Sequence, residues 1–153
     1  MTYELRIKRV IDARPNVVFD AFVDPETQSS LYDNREEPDW SVESEMDLRV
    51  GGIWTITFGK SGEPAFKETN VFTEVDRPHR LAFDSNMFGG RYATTFDTKV
   101  TVTFEERDGK TLLTIVQTEF EKREERDMIE GGWPSILDAL ERVAAERARR
   151  GSP

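Results

Sequence analysis

Residues 100–117 read VTVTFEERDGKTLLTIVQ, two alternating segments joined through Asp108-Gly109. Asp-Gly is a favoured pair for the tight turn whose twist matches an antiparallel strand pair. The segment therefore predicts a β-hairpin, and with it an antiparallel sheet. Directly behind it, residues 122–149 form one helical stretch, acidic at its start and basic at its end (ERARR), as the helix dipole favours. Ile129, Trp133, Ile136, Leu137, Leu140 and Val143 recur there at spacings of three and four. The helix thus carries one apolar stripe that must be covered. A sheet with one apolar face and a helix with one apolar stripe have an economical joint solution, in which the sheet curls around the helix.

Ahead of the hairpin the same chemistry repeats. Tyr3, Leu5 and Ile7 alternate with Glu4, Arg6 and Lys8, so 3–12 is a half-buried strand. Pro15 opens a short helix with Val18, Phe19, Phe22 and Val23 on one face, and Asp24-Pro25 ends it and caps a second short helix running to Tyr32. NREEPDW, 34–40, is a polar loop. Strands are predicted at 40–47, 53–59, 66–76, 80–85, 96–107 and 110–120. The turns between them are Gly51-Gly52, GKSGEP (59–64), DRPHR (76–80), NMFGGRY (86–92) and Asp108-Gly109. The fold class is α+β: a curved antiparallel sheet of about seven strands around a long C-terminal helix, with two short helices after the first strand. The length fits a single domain, 1–153, with its own core.

Composition removes several function classes. The net charge of −9 repels phosphate backbones and anionic lipid surfaces, so neither nucleic acid nor membrane is an expected partner. No apolar run approaches the roughly 20 residues that span a bilayer. The start, MTYELRIKRVIDA, lacks the continuous apolar core of a signal peptide. There is no cysteine, which fits a reducing cytoplasm and leaves no thiolate for a metal.

The element order, together with VFDAFVDPE (18–26), DLRVGGIW (47–54), EVDRPHRLAF (74–83), VTVTFEERDGKTLLTI (100–115) and GGWPSILDAL (131–140), resembles the START-like helix-grip (SRPBCC) superfamily, in its Hsp90-ATPase-activator-homologue, or Aha1 C-terminal-like, branch. The resemblance runs from residue 3 to about 147. It implies a helix-grip fold with a hydrophobic cavity between the sheet and the last helix. It also implies a choice of functions, since such folds serve carriers, cyclases and chaperone partners alike. The named co-chaperones join this type of domain to a separate chaperone-binding domain, which is not expected within these 153 residues.

The cavity candidates follow from alternation and from that resemblance. Trp54, Ile56 and Phe58 form the larger, more apolar phase of GGIWTITF and are expected inward, as are Val100, Val102 and Phe104 on the next hairpin strand. On TLLTIVQTEF both phases carry apolar residues, and the resemblance favours Leu113, Ile115 and Gln117 inward. Members of the branch often carry His at the position of Gln117, and Gln does not titrate. Phe83 and Trp133 join Trp54 and Phe58 as aromatics able to line a pocket. Gly132 lies four residues before Ile136 and eight before Leu140, and so shares their ridge of the last helix, where a missing side chain leaves room for a ligand or a close approach. Pro134 removes a backbone hydrogen bond and should bend the helix. The expected ligand-binding set is therefore Trp54, Ile56, Phe58, Phe83, Val102, Phe104, Leu113, Ile115, Gln117, Gly132, Trp133 and Ile136.

Signals for catalysis are weak. His79, the one histidine, sits in the turn DRPHR between two arginines and reads as a solvated turn residue. No nucleophile motif accompanies it, and GKSGEP does not match a phosphate loop. No catalytic residue, metal ligand or cofactor is assigned. Glu43, Glu45 and Asp47 share one face of a strand and read as a solvated face. Glu68, Asp84 and Tyr92 are candidate polar groups near the cavity mouth, and a carboxyl buried there would have a raised pKa. The preferred expectation is a cytoplasmic protein, monomer or homodimer, that binds a small hydrophobic or amphipathic molecule. The alternatives are a chaperone-associated or stress-response regulator with a protein partner, and a cyclase- or hydrolase-like enzyme using cavity polar residues.

Overall fold

The computed structural model describes residues 1–33, 37–91 and 94–150. Strand β1 (Tyr3–Ile11) is followed by helices α1 (Pro15–Phe22) and α2 (Pro25–Leu31). Six strands come next: β2 (Trp40–Met46), β3 (Ile53–Lys60), β4 (Phe66–Asp76), β5 (Arg80–Gly89), β6 (Thr94–Arg107) and β7 (Lys110–Phe120). Helix α3 (Arg123–Arg150) closes the chain. The strands make one antiparallel sheet in the order β1-β7-β6-β5-β4-β3-β2. Every connection is therefore a hairpin except the link through α1 and α2, which carries the chain from β1 at one edge to β2 at the other. This is the helix-grip arrangement.

Local chemistry accounts for the boundaries. Asp108 and Gly109 both take positive φ, 54° and 82°, as a tight primed turn requires, and Arg107 pairs with Lys110 across it. Asp24 caps α2 by accepting from the Glu26 N–H at 2.9 Å, with Pro25 in the first turn. Arg147 of α3 also donates to Asp24, so one carboxylate both caps α2 and ties it to α3. One boundary differs from the sequence expectation. β5 continues through Asn86–Gly89, where the motif NMFGGRY suggested a turn, and β6 starts at Thr94. Met87 keeps the buried phase of Phe83 and Ser85, and Asn86 donates to Asp97 across the pair, so tertiary pairing overrides the glycine-rich turn signal. Gly89 then takes φ 130°, and a Cβ there would lie 2.1 Å from the Ala65 carbonyl oxygen, so no other residue fits.

The buried side chains form one cluster. On α3 the buried apolar positions are Trp133, Leu137, Ala139, Leu140 and Ala144. Gly131 and Gly132 cost about 1 kcal/mol each against alanine and Pro134 about 3. Burying Trp133, Leu137 and Leu140 contributes about 1.5–3 kcal/mol each. Tertiary burial is thus large enough to hold one continuous helix through three poor helix formers. The principal neighbours of α3 are α1, α2, β1 and β7. At one end of the concave face, Phe19 and Phe22 of α1 pack edge-on against Phe104, and Phe22 against Trp54, which fills that end. The other end lies under the first half of α3 and is not filled.

Candidate functional site

A cavity of about 430 Å³ lies between the first half of α3, the end of α2 and the inner face of the sheet. That size falls within the roughly 300–1,000 Å³ typical of small-ligand pockets. Ile129, Gly132, Trp133, Ser135 and Ile136 form its helical side. Phe58, Phe66, Met87 and Phe96 form its apolar sheet side, and Leu31, Tyr32 and Trp40 close the end beside α2.

Two polar groupings enter this apolar surface. One is Gln117 on β7, whose Nε2 donates to Thr98 Oγ1 at 2.9 Å and whose Oε1 accepts from Trp133 Nε1 at 3.0 Å. The other is Glu68 on β4. Its carboxyl accepts hydrogen bonds from the Tyr32 hydroxyl and, at 3.5 Å, from Ser85 Oγ. Burial disfavours its charge and pushes its pKa up to about 7, with the two hydrogen bonds offsetting only part of the effect. Tyr32 is raised well above its usual range, by burial first and then by the neighbouring carboxylate. Behind Glu68 on the same strand, Asn70 is completely buried with neither amide atom paired to protein, and Trp54 Nε1 is also unpaired. Unpaired buried polar groups of this kind are uncommon in protein interiors.

The structure separates the twelve residues expected at the site. Phe58, Gln117, Gly132, Trp133 and Ile136 lie in the cavity lining. Trp54, Ile56, Phe83, Val102, Phe104, Leu113 and Ile115 face the same way but are packed in the closed core, outside the lining. Gly132 and Ile136 flank the deepest stripe of α3 instead of sharing it with Leu140. No atom outside the helix lies within 4 Å of a Cβ placed on Gly132, so a tight helix–sheet contact is not the reason for this glycine. Of the polar candidates, Glu68 is in the lining. Asp84 is exposed on the outer face beside Lys99, at 3.4 Å, and not at the cavity mouth. Tyr92, and residues 34–36 of the NREEPDW loop, lie outside the described residues. Glu43, Glu45, Asp47 and His79 are exposed. Among the described residues, no group of three or more His, Cys, Asp or Glu side chains is placed to hold a metal ion, and no helix is long and apolar enough to cross a membrane.

Sequence reasoning missed Tyr32, Trp40, Phe66, Ser85, Met87, Phe96 and Thr98 as lining residues. Part of the signal was available. Phe66, Glu68, Asn70 and Phe72 alternate on β4 as Trp54, Ile56 and Phe58 do on β3, and Phe58 pairs directly with Phe66. Nothing local points to Tyr32 or Trp40, which bracket a polar loop.

A family model described as "Activator of Hsp90 ATPase homolog 1-like protein" matches residues 12–145. No curated protein matches the sequence. Solved structures do. A Chromobacterium violaceum protein aligns with TM-score 0.78 at 22% identity, over 92% of this chain and 96% of that one. A Rhizobium loti protein aligns with TM-score 0.76 at 23% identity, over 94% and 97%. The AHSA1-like protein of Aeromonas hydrophila aligns with TM-score 0.71 at 25% identity, over 94% and 93%. These likenesses concern the fold.

Proposed function

The chain belongs to the family of Activator of Hsp90 ATPase homolog 1-like proteins, and from that premise we propose that it binds a small amphipathic molecule in the cavity beneath α3. The observation that carries this reading is the cavity itself. It has an apolar wall of Phe58, Phe66, Phe96, Ile129 and Ile136, with Glu68 and Gln117 as the polar groups able to orient a guest. A pocket that is mostly apolar with few convergent polar groups is the usual form of a small-molecule site. Phe58, Gln117, Gly132, Trp133 and Ile136 are the expected residues that meet the ligand. Trp54, Ile56, Phe83, Val102, Phe104, Leu113 and Ile115 support them from behind. The proposed setting is cytoplasmic, as a single domain acting as monomer or homodimer. The net charge of −9 argues against nucleic acid and anionic membrane as partners.

The test is titration with a neutral solvatochromic naphthalene dye, with native mass spectrometry of the purified protein alongside. Saturable uptake of one dye per chain, with a blue-shifted emission, is the expected result. Absence of saturable uptake by folded protein would overturn the reading.

A second reading has its own observation. Glu68, held near neutrality and hydrogen-bonded to Tyr32, is suited to exchange a proton with a bound substrate, as a cyclase- or hydrolase-like enzyme requires. Turnover of enolisable ketones or activated esters that disappears in Glu68→Gln is its test. A chaperone-linked role comes from the family description alone and ranks below both.

A further inference from the structure

Granted that the cavity is a ligand site, its end beside α2 has a definite chemistry. Phe58 stands at the centre of four aromatic rings, with centroids 5.6 Å from Tyr32, 5.7 Å from Phe66 and 6.1 Å from Trp40. All four line the cavity. Their positions are fixed from different directions. Phe58 and Phe66 are paired across β3 and β4. Trp40 Nε1 donates to the Tyr32 carbonyl at 2.9 Å, which holds the indole against the end of α2. Glu68 lies two residues past Phe66 on the same strand, hence on the same face. Asp33 is a second carboxylate in the lining, and no Lys, Arg or His occurs among the described lining residues.

We propose that this cavity receives an organic cation: an amphipathic small molecule whose ammonium group sits against the Tyr32–Trp40–Phe58–Phe66 wall and pairs with the Glu68 carboxylate, its apolar part running toward Phe96, Ile129 and Trp133. Aromatic ring faces carry negative charge density and attract cations, most strongly where water is excluded. A carboxylate at the edge of the same wall adds a charge-assisted hydrogen bond. An anionic ligand would meet repulsion from both elements, and a neutral one would gain burial and an ordinary hydrogen bond without the charge assistance. The groups facing Glu68 are Tyr32 from the end of α2 and Ser85 from β5, both donors that a carboxylate accepts. An arriving ammonium therefore favours the ionised carboxyl, and the proton that burial holds there near neutrality leaves to solvent.

Three probes of one skeleton separate this idea from the cavity reading on which it rests: phenylbutylamine, phenylbutanol and phenylbutyrate. They are titrated calorimetrically, and by displacement of the neutral dye, at about pH 8, where Glu68 is ionised and the amine protonated. The amine should bind about tenfold or more tighter than the alcohol, with the carboxylate weakest. Glu68→Gln, which keeps the side-chain shape, should remove most of the amine's advantage over the alcohol, the remainder being the share of the ring wall. Phe58→Leu, which keeps bulk but removes the central ring, should shrink the amine's advantage. Equal or tighter binding of the alcohol or the carboxylate would overturn the proposal and leave the cavity reading standing. An undiminished amine preference in folded Glu68→Gln would do the same. Failure of the dye and all three probes would overturn both.

Discussion

Trp133 Nε1 on α3 donates to Gln117 Oε1 on β7 at 3.0 Å, and the Gln117 amide passes the chain on to Thr98 of β6 at 2.9 Å. Trp133 and Gln117 are 6% and 4% exposed, so the relay is shielded from bulk water while still touching the cavity. It sets the height of the helix above the sheet where the cavity begins. Gln117 is therefore first a tie between helix and sheet, since its carbonyl and one N–H are already engaged within the protein.

That relay makes a thermodynamic prediction. Gln117→Leu strands the indole N–H and should cost about 1–3 kcal/mol. Trp133→Phe strands the Gln117 carbonyl and also loses packing. The double variant removes both polar partners, so its cost should fall short of the sum by about 0.5–3 kcal/mol. Urea unfolding of the four proteins measures the coupling, and strict additivity would show that the bond carries no net stability.

Glu68 predicts a pH dependence. Its pKa is about 7 in the folded protein against a reference of 4.5, so the native state holds the extra proton between those values. Stability from this group must then fall as pH rises from the lower value to the upper one. Glu68→Gln carries no such loss. The variant should match the parent below the window and exceed it above by as much as about 3 kcal/mol. Urea midpoints for both proteins on either side of the window provide the check, and parallel pH curves would mean that the carboxyl titrates normally.

Gly132 borders the cavity with open space where a side chain would start. Gly132→Ala should therefore stabilise by about 1 kcal/mol through helix propensity. Gly132→Leu should fold with little penalty and weaken dye uptake about tenfold by occupying the mouth, an effect on the order of two buried methylenes. Unchanged uptake in folded Gly132→Leu would remove this glycine from the binding site.

At His79 the backbone makes the contacts: its N–H donates to the Asp76 carbonyl at 2.7 Å, and its carbonyl accepts from the Phe104 N–H at 2.9 Å. Alanine preserves both. His79→Ala should change stability by no more than about 0.5 kcal/mol and leave dye uptake alone. A large loss of binding would expose a role that its exposed position conceals.

Features encoded by neighbouring residues were determined by the sequence itself. Turn chemistry at Asp108-Gly109, the Asp24-Pro25 cap and the three-and-four spacing on α3 each act within a few residues of chain, and together they define a sheet curled around a helix. Alternation also assigned the inward face of β3 and β6, because side-chain direction repeats every two residues; on β7, where both phases are apolar, only the family resemblance favoured Leu113, Ile115 and Gln117. That same period cannot tell one end of a strand from the other. Trp54, Ile56 and Phe58 share a face of β3, yet Trp54 is sealed by Phe22 of α1 while Phe58 opens on the cavity. Where α1 stops filling the concave face and α3 spans it is a tertiary outcome, and it divides the expected site into core and lining. The polar end of the cavity was legible only in part: Glu68 was one of three candidate polar groups, and nothing local set it apart from Asp84 and Tyr92. Tyr32, Glu68 and Ser85 come from three elements; desolvation, which depends on what the whole chain packs around Glu68, pushes its pKa up to about 7 although the Tyr32 and Ser85 hydrogen bonds pull it down.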